Sequence, residues 1–134
     1  MRRIVVTGMG PITPLGIGIN KTWNSLCEGK SGIKKISKFD PSGLKTQIAG
    51  EVTDFDLNSY MDKKLQKRSD PFLQFAIAAS KIAIEDAKVK ITSSNSYRIG
   101  VILGTGFGGL KTLERNHTVL LNEALERFLL FLSP

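Results

Sequence analysis

Two apolar runs rich in β-branched residues stand out along the chain, and a cluster of glycines follows each of them directly. Residues 3–7 (RIVVT) precede Gly8 and Gly10, and residues 98–103 (RIGVIL) precede the glycines of segment 104–109. An apolar run of this kind that ends in glycine is typical of a buried strand. The pattern therefore predicts two buried strands, each of which leads into a glycine turn.

Helical spacing of apolar residues predicts three helices around these strands. Residues 20–27 carry one apolar face, and residues 110–121 follow the second glycine turn. The longest helix, residues 71–88, is preceded by Asp70 as a capping residue and has Pro71 in its first turn. Because its apolar residues occupy two sides, we expect this helix to pack against neighbours on both sides and to be central to the fold.

The remaining segments complete an alternating order of strands and helices. Residues 30–58 form a long, mostly irregular excursion with a predicted strand at 47–52, and residues 60–68 predict a short basic helix or turn. The resulting order of strand, helix, excursion, helix, strand, glycine turn and helix is typical of an α/β layered fold with a mixed, partly parallel sheet. With 134 residues, the chain forms at most one domain.

The chain carries a clear excess of positive charge. Its 19 lysines and arginines against 12 acidic residues give a formal net charge of +7, which indicates an acidic partner. The densest basic cluster consists of Lys63, Lys64, Lys67 and Arg68. This cluster has no interleaved aromatic residues and matches no nucleic-acid-binding motif, so we do not expect nucleic acid as the partner.

The counts of metal-ligating and nucleophilic residues restrict the possible chemistry. One cysteine, Cys27, and one histidine, His117, exclude an internal disulfide and a multi-ligand Cys/His metal site. Cys27 lies on the apolar face of the first predicted helix, so we expect a small buried side chain and not a reactive thiol. The low cysteine count is typical of a reducing compartment, and no apolar run is long enough to span a bilayer. We therefore expect a cytoplasmic protein with no metal, cofactor or membrane segment.

The second glycine turn also fits a nucleotide-binding pattern. Residues Gly104–Gly109 (GTGFGG) match G-x-G-x-x-G, the dinucleotide fingerprint, which needs an acidic residue about 20 positions further on for the ribose. Glu123 and Glu126 lie near that distance, but on a predicted helix and not at the end of a second strand. Dinucleotide binding is therefore kept as an alternative hypothesis for this turn.

Six phrases, taken in order, carry a resemblance to one family. They are RRIVVTGMGPITPLG, TWNSLCEGKSGI, FDPSGLKTQIAGEV, KKLQKRSDPFLQFAIAAS, IGVILGTGFGGL and NHTVLLN. Over about residues 2–122, the chain resembles the N-terminal part of the β-ketoacyl-acyl-carrier-protein synthases of the synthase II type. The resemblance implies an incomplete first half of a thiolase-like fold. It also implies a family of cytoplasmic homodimers that condense acyl and malonyl carrier-protein thioesters in fatty-acid synthesis.

The resemblance also implies roles for individual residues. Lys64, Lys67 and Arg68 match positions at which the family docks the acidic acyl-carrier protein, and the alternative is a solvated helix face. Phe107 matches a position that lines the acyl pocket, where its bulk would shorten or gate the pocket. Gly106 lets the backbone approach that pocket closely. The alternative for Phe107 is a side chain packed in the core.

We expect no catalytic residue in this chain. The nucleophilic cysteine and the two histidines of the family belong to motifs that this sequence lacks, and Cys27 and His117 fall in other phrases. The resemblance therefore implies a region that is inactive alone. We also do not expect it to dimerise as the family does, because the later dimer strand is missing. The alternative is a carrier-protein-binding module without catalytic chemistry.

The last residues depart from the family pattern. The resemblance ends at Asn122, and residues 128–133 read FLLFLS. Reading codons for the family's V-S-P-F-F-I-P phrase one nucleotide out of frame gives the same series of residues. The sequence therefore predicts a family region at 1–122 and a non-family tail at 123–134 that arises from a frameshift.

Overall fold

The computed structural model of the chain describes residues 3–122. In chain order, its helices and strands are β1 (Ile12–Thr13), β2 (Gly16–Ile17), α1 (Ile19–Cys27), β3 (Ile33–Lys35), β4 (Ile48–Gly50), α2 (Lys63–Arg68), α3 (Pro71–Asp86) and α4 (Leu110–Asn122). Two short 3-10 turns, Leu57–Ser59 and Ser96–Arg98, lie before α2 and before the second glycine turn. The predicted tail at 123–134 lies outside the described residues, so the proposed domain boundary stays a prediction.

The helices confirm the positions predicted from helical spacing. The helix α3 has Asp70 at its N-cap and Pro71 in its first turn, as expected, and it ends two residues before Lys88. Lys88 has a φ of 53°, in the left-handed region, which stops the helix there. The predicted basic helix is present as α2, and α4 follows the glycine turn as expected.

The strands form two small antiparallel sheets. In the first, β1 pairs with β2, and in the second, β3 pairs with β4 with Ile33 opposite Gly50 and Lys35 opposite Ile48. The predicted strand at 47–52 is confirmed in its central residues. The expected parallel pairing is absent within residues 3–122, where both sheets are antiparallel pairs of strands that follow each other in the chain.

The prediction of two buried strands from the apolar runs is wrong for the described structure. Residues 3–7 and 99–103 are not strands, and side chains within them are exposed, with Ile4 at 93% and Ile102 at 98%. A strand needs a neighbouring backbone for its N–H and C=O groups, and residues 3–122 provide none for these two segments. The apolar runs are therefore suited to burial, but nothing in the described range covers them.

The first glycine turn packs directly on α3. A Cβ atom on Gly10 would lie 2.0 Å from the carbonyl oxygen of Ala79, and one on Gly8 would lie 2.4 Å from that of Ala83. No side chain fits at these distances, so glycine is required at both positions. The alanines of α3 thus form a flat face against which the backbone of residues 8–10 lies.

The core of the described region is small. Its buried apolar residues are Met61, Ala78 and Pro41, and Phe72, on the expected central helix, is 40% exposed. Thus α3 is in contact with its neighbours but is not enclosed by them. With so little buried apolar surface, residues 3–122 gain little free energy to offset their conformational entropy.

A carboxylate fixes the connection after β3 to the end of β4. Glu51 accepts hydrogen bonds from the Ser37 hydroxyl at 2.7 Å, the Ser37 N–H at 2.9 Å and the Lys38 N–H at 3.3 Å. The Ser37 hydroxyl and then its N–H hold the pKa of Glu51 below the ordinary value of 4.5. The charged form of Glu51 therefore favours the closed connection.

This arrangement predicts loss of the Glu51 clamp in acid. A lowered folded-state pKa contributes stability above the unfolded value of 4.5, and the contribution is lost as the pH falls through the folded-state pKa. We expect the Ser37 amide proton, followed by NMR, to titrate with a midpoint below pH 4.5. The Glu51→Gln variant should show no titration of this amide. A midpoint at or above 4.5 would contradict the clamp.

Candidate functional site

The basic helix α2 begins at a side-chain cap and presents four cations to solvent. Asp62 caps it by accepting a hydrogen bond from the Leu65 N–H at 2.8 Å. Its six residues, KKLQKR, contain no acidic side chain. All four cations are exposed, and we refer to them together as the basic face: Lys63, Lys64, Lys67 and Arg68.

The charges of the basic face are not neutralised within residues 3–122. None of its four cations has a carboxylate at ion-pair distance there, whereas Lys30 pairs with Glu28 elsewhere on the surface. Cations grouped on one exposed helix raise the local potential and steer acidic partners towards it. Their long side chains are also free to adapt to a partner's carboxylates.

The side chains of Ser69 and Gln74 fix the end of α2. The Gln74 amide donates hydrogen bonds to the carbonyls of Gln66 at 3.1 Å and Ser69 at 2.9 Å, and the Ser69 hydroxyl donates to the Leu65 carbonyl at 2.7 Å. The last carbonyls of a helix lack intrahelical partners, and these donors satisfy them. A helix of six residues is not stable by itself in water, so these bonds help to hold it.

An aromatic cluster supports the other end of α2. The ring of Phe55 lies 5.7 Å from that of Tyr60 and 5.2 Å from that of Phe75 on α3, measured between centroids. Met61, directly before the Asp62 cap, is 7% exposed. The Lys81 ammonium donates to the Tyr60 carbonyl at 2.5 Å. Contacts at both ends of α2 thus hold the helix that carries the basic face against α3.

The second glycine turn lies against the start of α3. Gly109 has a φ of 77°, in the left-handed region, and a Cβ on Gly108 would lie 3.0 Å from the ring of Phe72. The Asp70 carboxylate accepts hydrogen bonds from the Thr112 N–H at 3.2 Å and the Thr112 hydroxyl at 2.8 Å. The residues that join α2 to α3 therefore also contact the turn and the first residues of α4.

An apolar groove of about 440 Å³ runs along α3 beside the turn. Its walls come from α3, from β1 and from the start of the turn, and its lining is Ile12, Phe72, Leu73, Phe75, Ala76, Ala79, Leu103, Gly104 and Thr105. The groove contains no charged side chain. Its chemistry suits apolar contact, and the Thr105 hydroxyl is the one polar side-chain group in its lining.

The predicted pocket residues lie in the turn but outside the groove. Phe107 is 67% exposed, and no atom lies within 4 Å of a Cβ built on Gly106. The alternative that Phe107 packs in the core of the described region is therefore wrong. The groove is bounded instead by Gly104 and Thr105. The role of Phe107 and Gly106 in an acyl pocket stays a prediction.

The cysteine and the histidine lie on helices other than the one that carries the basic face. The expectation that Cys27 is buried is wrong: it is exposed, and so are Trp23 and Leu26 beside it on α1, at 62% and 53%. Residues 3–122 therefore leave this face of α1 largely uncovered. His117 is exposed on α4. Across residues 3–122, no three His, Cys, Asp or Glu side chains are grouped to hold a metal ion. No helix in that range is long and apolar enough to cross a membrane.

The dinucleotide alternative lacks part of its structural context. The fingerprint needs a strand before the glycine turn and a helix after it. The helix is present as α4, whereas residues 99–103 are not a strand. Glu123 and Glu126 lie outside the described residues.

Sequence reasoning missed the side-chain role of Asp70. The pattern Ser-Asp-Pro predicts a cap for α3, but the carboxylate makes no capping hydrogen bond there and instead contacts Thr112, 42 positions further along the chain. No local signal indicates such a pairing. Only the approach of α4 to the start of α3 makes it possible.

Comparisons with known proteins point to one family. The family model described as "Beta-ketoacyl synthase, N-terminal domain" matches residues 1–130. The chain is 46% identical to "3-oxoacyl-[acyl-carrier-protein] synthase 2" of Synechocystis sp. and 41% identical to the protein of that name from Vibrio harveyi, each over 133 residues. Both alignments cover 99% of this chain and 32% of the relative. The chain therefore spans about a third of the length of these relatives.

A solved structure shows the same fold. It is described as "The ishigamide ketosynthase/chain length factor", with a TM-score of 0.71 and 26% sequence identity. The similarity covers 87% of this chain and 29% of that one. This similarity confirms the predicted α/β class and its thiolase-like, incomplete character.

Proposed function

The chain belongs to the β-ketoacyl synthase family, and from this we propose that it is the N-terminal part of a 3-oxoacyl-acyl-carrier-protein synthase. Such an enzyme lengthens fatty acids. An acyl group passes from the carrier-protein thiol to an enzyme cysteine, and malonyl carrier protein then loses CO₂. The resulting carbanion attacks the acyl thioester and releases the cysteine. In this proposal the chain supplies the surface that receives the carrier protein, within a reducing compartment such as the cytoplasm.

The observation that carries this proposal is the uncompensated basic face on α2. Lys64, Lys67 and Arg68 match the docking positions implied by the family resemblance, and all are exposed. An acidic carrier protein gains attraction at long range from such a face, which mainly raises its rate of association. The bonds of Gln74 and Ser69 to backbone carbonyls of α2 support a fixed helix from which these cations project.

The second part of the proposal concerns the acyl chain. We place Phe107 at the wall of the acyl pocket, with Gly106 beside it, because both match the pocket phrase of the family. The exposed Phe107 ring has apolar area available for a chain or for a further part of the pocket. Since a Phe ring is large, it would favour short acyl chains at this wall.

We further propose that the chain does not catalyse condensation by itself. The reaction needs a thiolate nucleophile and groups that stabilise the thioester oxyanion. The only cysteine lies on α1 and the only histidine on α4, and both belong to phrases outside the catalytic motifs of the family. A carrier-protein-binding module without chemistry is the second candidate, and the same basic face favours it.

One titration with two measurements tests this function. The chain is mixed with acyl- and malonyl-acyl-carrier protein at increasing salt, and binding and 3-oxoacyl product are followed together. We expect saturable binding that weakens as salt screens the exposed charges, and no product. Binding that does not respond to salt would contradict docking through the basic face. Formation of product would contradict the absence of catalytic groups.

A further inference from the structure

Asp70 occupies the junction between the basic face and the glycine turn. It follows Arg68 by two positions and precedes Pro71, with which α3 begins. Its backbone carbonyl accepts a hydrogen bond from the Leu73 N–H of α3 at 3.0 Å. Its carboxylate, however, makes no capping hydrogen bond to that helix. Both carboxylate oxygens instead accept hydrogen bonds from Thr112 on α4. Asp70 is thus shared between two helices.

The bond to Thr112 acts at a point where α4 needs a partner. Thr112 is the third residue of the helix, and its N–H is among the first four, which have no intrahelical acceptor. A carboxylate here also complements the positive end of the helix dipole. The chain enters α4 through Gly109, and a Cβ at that position would lie 3.7 Å from the Asp70 carboxylate. The carboxylate therefore fixes the end of the glycine turn.

Gln74 fixes the other side of the same junction. Its amide donates to the carbonyls of Gln66 in α2 and of Ser69, the residue before Asp70. Two sets of hydrogen bonds, joined by the covalent backbone from Ser69 to Asp70, thus connect the end of α2 to Thr112. Phe72 adds a packing contact, because its ring lies against Gly108 in the turn.

We propose that Asp70 is a positioning residue that ties the end of α2 to the second glycine turn, so that the placement of the basic face sets the backbone that carries Phe107. The structural tie stands on the contacts of Asp70 alone. Its meaning for the reaction rests on the proposed function: the helix that receives the carrier protein and the wall of the acyl pocket would then move as one unit.

Hydrogen exchange in the whole chain tests the tie. In the Asp70→Asn variant we expect the Thr112 and Leu113 amides to exchange about fivefold faster, because loss of a charged helix cap frees the first turn of α4. Amides 73–76 should stay within about twofold, since the carboxylate does not cap α3. Glu85→Gln, which removes the same charge from an exposed side chain near the far end of α3, is the matched control and should leave exchange at Thr112 unchanged.

A double-mutant cycle tests the connection to α2. Gln74→Ala should speed exchange at Thr112 in the wild-type chain and add less than about twofold in the Asp70→Asn chain, because both act through one junction. Faster exchange at 73–76 without a change at 112–113 would show a local cap and overturn the proposal. Full additivity of the two substitutions would also overturn it. If Asp70→Asn does not fold, Thr112→Val, which removes only the hydroxyl bond, replaces it in the cycle.

The same experiment separates this tie from the proposed function. Every variant is compared as the free chain, so no step depends on acyl-carrier protein. Failure of the wild-type chain to bind carrier protein would contradict the docking proposal and leave the exchange result at Thr112 intact. Normal binding of carrier protein by the wild-type chain, with unchanged exchange at Thr112 in Asp70→Asn, would contradict the Asp70 tie and leave the docking proposal intact.

Discussion

Replacing Gly10 by alanine is expected to open the contact between residues 8–10 and α3 and to increase proteolysis roughly thirtyfold. The new Cβ would lie 2.0 Å from the Ala79 carbonyl oxygen and 2.8 Å from the Ala83 nitrogen, both backbone atoms that cannot rotate away. Overpacking of this kind costs on the order of 2 kcal/mol. The Met9 N–H would also be displaced from the Asp86 carboxylate, to which it donates at 2.9 Å.

The Gly10 prediction has a matched glycine control. Gly43 has open space around its position and an ordinary backbone, so Gly43→Ala should leave the cleavage rate within about threefold of wild type. The rate is measured at low protease concentration, where it follows the population of the open form. A Gly10→Ala rate as slow as that of Gly43→Ala would show that the backbone contact with α3 does not hold the chain together.

Local signals were sufficient to predict the helices. The helix α3 is specified by proline in its first turn and apolar residues at helical spacing, both within one stretch of sequence. The helix α4 is predicted by the change, after Gly109, from a run of glycines to an amphipathic pattern. These features act over three or four residues, so they determine the local backbone without knowledge of the rest of the fold.

The two apolar runs show where this reasoning stops. Residues 3–7 and 99–103 have the composition of buried strands, but a strand forms only when another backbone pairs with it. Burial of Ile102 or Ile4 is likewise a property of what lies over them, and within the described range nothing does. Sequence composition predicts a tendency to be buried, whereas pairing and covering depend on distant parts of a protein.

The candidate site also has a part that the sequence predicts and a part that it does not. The exposed basic face was predictable, because four cations in six residues of a helix cannot avoid solvent. The groove and the Asp70 tie were not, since they join segments that are distant in the sequence. Phe107 was placed by resemblance, and its exposed ring in the described structure shows that a family position does not by itself specify a local environment.

Reversing two charges on the basic face is expected to weaken binding of acyl-carrier protein by roughly thirtyfold or more. The Lys64→Glu plus Arg68→Glu variant replaces attraction by repulsion at the centre of the proposed docking surface. Both side chains are exposed, and neither has an ion pair within residues 3–122, so the fold should tolerate the change. The affinity should also lose most of its dependence on salt, because fewer favourable charge contacts remain to be screened.

The carrier-protein titration of this variant beside a charge-matched control tests the docking proposal most directly. Lys34→Glu plus Lys35→Glu lowers the net charge by the same amount but changes exposed side chains on β3. We predict that the α2 variant loses binding by roughly thirtyfold while the β3 variant stays within about threefold of wild type. Equal loss in both variants would show a response to net charge alone, and unchanged binding in the α2 variant would contradict carrier docking at α2.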